Sequence, residues 1–220
     1  MGWEDDVARE QRRYEDGLER GDPEQLVRIG NAAYGAGLAL LMLGRREEAA
    51  EWLERAALRW RESWAHATPT SWGRPIGVVK ASVLAGGEGR EAAEWALSLG
   101  PREAESAIGR YAATLALLVL GRRDEAAALA ASLQGREDFP PAVADALASV
   151  AAGEAAAFGE AAEAVLRSFE TREAYLEDVA VADTVLVLEA LARARGLRVE
   201  LRPSAVLPPQ RRLPAAGGST

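Results

Sequence analysis

Along most of this chain apolar residues recur every three to four positions, and glycines divide the apolar stretches from one another. That period puts the apolar side chains on one face of a helix. It predicts helices over 4–20, 23–43, 46–66, 74–85, 88–99, 103–120, 122–134, 140–152, 154–169 and 173–195. Gly44, Gly121 and Gly196 stand just past long apolar stretches. A helix often closes there on a residue with positive φ, which glycine adopts without strain. Gly21-Asp22-Pro23 predicts a stop and a fresh start, with Asp22 as N-cap and Pro23 in the first helical position. Asp138-Phe139-Pro140-Pro141 predicts another break. After Gly196 the pattern changes to alternation over Leu197–Leu201, which predicts an extended, strand-like arm lying on the last helix. Residues 203–220 are rich in proline and glycine. They are expected to form a tail anchored by Val206 and Leu207, with a mobile end, beyond a single helical domain over 1–202.

One stretch occurs twice. Residues 34–50 recur at 111–127, with thirteen of seventeen positions identical at a constant offset of 77. The turn glycines Gly44, Gly87, Gly121, Gly153 and Gly196 are spaced 43, 34, 32 and 43 residues apart. Intervals near 34 match a helix–turn–helix repeat. On these residues the chain resembles the tetratricopeptide-repeat family. In the best unit Gly37 is the small residue of the first helix, followed by Leu40. Gly44 is the turn, Ala49 the small residue of the second helix, and Leu53 and Ala56 the packing positions. The second unit keeps Leu117, Gly121 and Ala126 but has Thr114 in place of the first glycine, and Ala92 follows Gly87 in the same way. The resemblance extends over roughly 30–135; the proline that usually ends each unit is absent. It implies an all-α, right-handed stack of about five antiparallel helix hairpins, and a habit of binding partners rather than any particular activity. Near the C-terminus, a long helix followed by Gly196-Leu-Arg-Val and Leu207-Pro208 resembles the bacterial immunity protein 49 family over about fifty residues.

Composition narrows the classes. The chain of 220 residues is 49% hydrophobic and 27% charged, as a folded globular protein is. Its formal net charge of −8 supplies no field to attract phosphate backbones, so nucleic acid is not expected as a partner. There are no cysteines, which rules out disulfides and thiol chemistry within the chain and fits a reducing compartment. The start of the sequence lacks a basic-then-apolar signal pattern, and no apolar run is long enough to cross a bilayer. A cytoplasmic, membrane-free bacterial protein without cofactor or metal is the expectation.

Most catalytic constellations are missing: no paired histidines for zinc, no nucleophile elbow and no phosphate loop. Glu47-Glu48 and Asp124-Glu125 fall in first helical turns, where acids complement the helix dipole. Three features stand out. The interval after Gly44 exceeds the repeat by nine residues, and the surplus falls near 60–75, which holds Trp60, Trp64, Trp72 and the lone His66. Lys80 is the single lysine among 26 basic residues. Asp183 interrupts the apolar run Val179–Leu188 and needs a partner, for which Arg110, Arg167 and Arg172 are candidates.

These features predict a groove with the 60–75 segment as one wall. Trp64, His66, Trp72, Arg74 and Lys80 would reach into it, Arg110 and Tyr111 would face them, and Asp183 would extend the polar set. The expected function is binding of a protein or peptide segment, with a homodimer left open. The alternatives are an immunity or regulatory protein that neutralises a toxin by surface complementarity, and a small-molecule or enzymatic pocket around Trp72, Arg74, Lys80 and Asp183.

Overall fold

The computed structural model describes residues 2–21 and 25–209. Among them the fold is all-α, with no strand. The helices are α1 (Trp3–Arg20), α2 (Leu26–Met42), α3 (Arg46–Ser63), α4 (Gly73–Leu84), α5 (Arg90–Ser98), α6 (Ala107–Val119), α7 (Arg123–Ala131), α8 (Pro141–Ala152), α9 (Ala155–Glu170) and α10 (Asp183–Ala194), with single 3-10 turns at Trp64–His66, Pro101–Glu103 and Leu176–Asp178. The expected cap at Asp22 and Pro23, and the end of the tail, lie outside the described residues.

The duplicated sequence folds the same way twice. Gly44 and Gly121 close α2 and α6 with φ of 76° and 70°. The next backbone N–H returns to a leucine carbonyl in each case, Arg45 to Leu40 at 3.0 Å and Arg122 to Leu117 at 2.9 Å. The arginine Nε then donates to the acid three residues on, Arg45 to Glu48 at 2.7 Å and Arg122 to Glu125 at 2.6 Å. These guanidinium groups therefore bridge forward onto α3 and α7 instead of capping the helix behind them. Small residues set the helix spacing: a β-carbon on Gly37 would stand 2.8 Å from Leu53, and Ala49 and Ala126 are completely buried.

Successive helices pack in order. α3 lies on α2 and α4, α5 on α4 and α6, and α7 on α6 and α8, while α4, α6 and α8 also touch one another as a row. The nine-residue surplus is used at the α3–α4 junction. Trp60, near the end of α3, inserts its indole between Gly30 of α2 and Gly77 of α4. A β-carbon at either glycine would come within 2.7 Å of the ring. Trp60 Nε1 donates to Asn31 Oδ1 at 3.1 Å, so the buried ring keeps its polar edge satisfied.

The C-terminal third departs from the expected pattern. The helix expected over 173–195 begins ten residues late, at Asp183. Glu177 and Asp178 both take positive φ (54° and 56°), which breaks any helix through them. Val179 and Val181 are buried in extended backbone, and Ala182 N–H donates to the Val206 carbonyl at 2.8 Å. Tertiary burial of two valines and a long-range hydrogen bond override helical propensity here. The following α10 packs on α4, α8 and α9, and the turn at Leu176–Asp178 packs on α2. The helix expected from 103 starts only at Ala107, because Ser106 caps it by accepting from Gly109 N–H at 3.2 Å.

Residues 197–201 form no strand and lie on α9 rather than on the last helix, with Val199 against Gly159. Arg202 binds Glu163 and Glu170 of α9, and Ser204 Oγ donates to Glu170 at 2.6 Å. Val206 and Leu207 are buried, and one hydrophobic cluster runs from Val7 to Leu207.

Candidate functional site

Residues from four helices converge at the N-terminus of α10. Lys80, midway along α4, sends its Nζ to Asp183 Oδ2 at 2.5 Å and to Thr184 Oγ1 at 3.0 Å. Tyr34 of α2 donates its hydroxyl to the same Asp183 Oδ2 at 2.9 Å. Asp183 Oδ1 accepts from Thr184 N–H at 2.6 Å, the usual use of an acid in a first helical turn. Tyr111 of α6 lies against this cluster, close enough to feel the Lys80 and Asp183 charges. The Lys80 and Asp183 side chains retain only 11% and 16% of their exposure.

The surroundings fix the charge states. Burial opposes the Asp183 carboxylate, but the Lys80 charge and the hydrogen bonds from Lys80, Tyr34 and Thr184 outweigh it and hold the group below its ordinary value. Burial likewise opposes the Lys80 ammonium, and Asp183 with Tyr111 outweighs it and raises the group. Burial, reinforced by Asp183, pushes Tyr34 well up. Burial also raises Tyr111, against the pull of Lys80. A nucleophilic lysine needs a depressed pKa and a general base needs one near the working pH. Here the pair is locked in its charged form and both phenols stay protonated. The arrangement has the chemistry of a tie between α10 and the α2–α4–α6 side of the protein.

The sequence singled out Lys80 and Asp183 separately, and the structure makes them partners. None of the arginines expected to pair with Asp183 does so: Arg110 Nε donates to the Ala104 carbonyl at 3.3 Å, Arg172 stacks on Phe169 at 3.5 Å, and Arg167 is exposed. Lys80 of α4 takes the place expected for an arginine. Tyr34 and Thr184 were missed. The available signal for Tyr34 was its equivalence to Tyr111, since the two occupy matching positions of the duplicated stretch. No sequence signal pointed to Thr184.

The other expected site residues are elsewhere. Trp72 is 7% exposed, precedes α4 and packs on Trp64 at 6.0 Å; Trp64 in turn meets Trp95 edge-on at 6.3 Å. Arg74 donates to the Ser63 carbonyl at 2.8 Å and so ties the start of α4 to the end of α3. Trp72 lies eight residues before Lys80, about 12 Å along the helix, so the four residues expected around one pocket fall into two separate groups. His66 is exposed. The tryptophans of the 60–75 segment fill the gap between helices rather than facing a groove.

A second polar chain links α1 to the turn before α10. Glu10 of α1 is fully buried and binds Arg9 and Arg13. Arg13 also pairs with Glu177, Arg9 pairs with Asp6 and donates to the Glu177 carbonyl at 3.0 Å, and Asn31 donates to Glu177 at 3.2 Å. The left-handed backbone at Glu177 is thus held from both α1 and α2.

Among the described residues, open clefts away from these clusters include one of about 300 Å³ beside α3, α4 and α5, one of about 570 Å³ between α8 and α9, and one of about 510 Å³ between α9 and residues 199–201. Among the described residues there is no cluster of three acidic or histidine side chains able to hold a metal, and no helix long and apolar enough to cross a membrane. Comparison with family models, with curated proteins and with solved structures gives no match to this chain.

Proposed function

We propose that this protein is a non-catalytic helical-repeat module of tetratricopeptide type that acts by binding a protein or peptide segment on its outer surface. The observation that carries the reading is the duplicated hairpin: Gly44 and Gly121, with the arginine and acid that follow each, build one turn geometry twice. Stacked repeats of such units expose long continuous surfaces suited to partners. The residues that could have served chemistry are used internally, since Lys80, Asp183, Tyr34 and Thr184 satisfy one another. The inner row of α4, α6 and α8 is not left bare, because α10 packs on α4 and α8 and buries Val185, Val187 and Leu188. A partner is therefore taken elsewhere.

The reading is tested by placing a photo-crosslinking amino acid at exposed positions of α3, α7, α8 and α9, one per variant, and irradiating cells of the native host. One recurrent partner, captured from a contiguous set of outer positions, is the expected result. No adduct from any outer position, or turnover of a small molecule by the purified protein, would overturn it.

A further inference from the structure

Helix α1 is held to the protein largely by charge. It packs chiefly on α2, and its buried residues are Val7, Tyr14 and two carboxylates, Asp6 and Glu10. By contrast α9, two residues shorter, buries six residues, all of them apolar. Helices stay docked mainly through an apolar face, and α1 has little of one. Its carboxylates are balanced from within the helix: Arg9 pairs with Asp6 and with Glu10 at 2.7 Å, and Arg13 pairs with Glu10 at 3.1 Å.

The same two arginines hold a strained turn far along the chain. Arg9 donates to the Glu177 carbonyl at 3.0 Å, and Arg13 pairs with the Glu177 carboxylate. Among the described residues, Glu177 and Asp178 are the only non-glycine positions with positive φ. A side chain clashes with its own backbone there, so the conformation persists only where the surroundings impose it. The Asp178 side chain is exposed. The hold therefore acts through Glu177. Gly35 of α2 marks the meeting point: a β-carbon there would stand 3.1 Å from the Glu10 side chain and 3.4 Å from those of Glu177 and Val179. Glycine thus lets α1 and the turn share one spot on α2.

We propose that α1 is a latch on residues 176–182. While α1 is docked, Arg9 and Arg13 keep the turn in its left-handed form against α2. When α1 lifts, the turn relaxes, the segment that leads into α10 loosens with it, and the α2 surface around Asn31 and Gly35 is bared. This device goes beyond the binding function proposed above and does not depend on it.

Hydrogen exchange of the full chain, read by mass spectrometry, tests it through peptides from α1, from 176–182 and, as reference, from α6 and α7. Arg9→Gln/Glu177→Gln removes both bridges and leaves Glu10 paired with Arg13. Exchange should rise at least tenfold in α1 and in 176–182 and stay within twofold in the reference. Tyr14→Ala changes no charge and loosens α1 on the side where Tyr14 meets Trp52 of α3, with ring centroids 5.2 Å apart. It should speed 176–182 at least threefold. Adding Asp178→Gly to the first variant should slow 176–182 again at least threefold while α1 stays fast, because glycine takes the left-handed conformation without being held. Ion pairs that merely add stability would give no such rescue.

Faster exchange in α1 with 176–182 unchanged, in either variant, would show that the turn stands without α1 and overturn the proposal. Equal acceleration of the reference peptides would overturn it too, since α1 and the turn would then open only with the whole fold. Failure of Asp178→Gly to slow 176–182 would mean that the turn stores no strain for α1 to hold, with the same consequence.

Discussion

Replacing Asp183 with alanine tests whether the Lys80–Asp183 pair is the tie that seats α10. The substitution removes the acceptor for four donors: the Lys80 ammonium at 2.5 Å, the Tyr34 hydroxyl at 2.9 Å, the Thr184 N–H at 2.6 Å and the Thr184 hydroxyl at 3.3 Å. Lys80 would keep Thr184 Oγ1 at 3.0 Å, a neutral partner, inside a site where its side chain is 11% exposed. Stranding one member of a buried pair costs about 3–5 kcal/mol. The orphaned tyrosine hydroxyl overlaps with that loss rather than adding to it, and the residual exposure lets some water in. We therefore expect about 3 kcal/mol. Urea unfolding followed by tryptophan fluorescence should then show a midpoint lower by about 1–1.5 M, for a slope of about 2–3 kcal/mol per molar. The pair should also show coupling in a double-mutant cycle. Asp183→Ala/Lys80→Met should cost less than the two single changes summed, by more than about 1 kcal/mol. The direction of the pH effect follows from the two shifts. Asp183 is held below its ordinary value of 3.8, so its contribution is full above that pH and is lost as pH falls through its depressed folded value. Lys80 is held above 10.5, so its contribution is full below that pH and is lost as pH rises through its raised folded value. The gap between wild type and Asp183→Ala should be flat between those limits and shrink outside them. A midpoint within about 0.3 M of wild type, or strictly additive single changes, would refute the reasoning.

Three further outcomes follow from the packing and charge of the fold. Gly77→Ala puts a β-carbon 2.7 Å from the Trp60 ring, so thermal melts should show about 1–3 kcal/mol of destabilisation; an unchanged melt would mean that the ring is not clamped between α2 and α4. Gly44→Ala and Gly121→Ala each force a side chain into left-handed backbone and should cost about 1–2 kcal/mol apiece, additively because the turns belong to separate hairpins; strongly unequal losses in chemical unfolding would argue against equivalent turns. Glu10 is fully buried, and burial outweighs Arg9 and Arg13 to hold it above its ordinary 4.5. The stability it adds is present below that value and lost as pH rises through the raised folded one, so Glu10→Gln should lose less stability than wild type as pH rises above the ordinary value, and parallel curves would count against the shift.

The sequence carried the all-α class and the duplicated turn. A 3.6-residue apolar period, a glycine after each long stretch and small residues at Gly37, Ala49 and Ala126 are local instructions, and the same instructions written twice gave the same turn twice. It also marked Lys80 and Asp183 as anomalies, because a single lysine and a carboxylate in an apolar run break local rules. What it could not carry was their pairing, which joins positions 103 residues apart, or the recruitment of Tyr34 and Thr184. It misread 173–182 as helix, since the buried Val179 and Val181 and the Ala182–Val206 hydrogen bond exist only once the C-terminal segment has crossed the protein. For the same reason it assigned Trp72 to a groove that packing closes. Local periodicity and turn chemistry are properties of short windows and are legible in one dimension. Which face is left open depends on where a distant segment comes to rest, and that was decided only when α10 buried its valines and leucines against α4, α8 and α9.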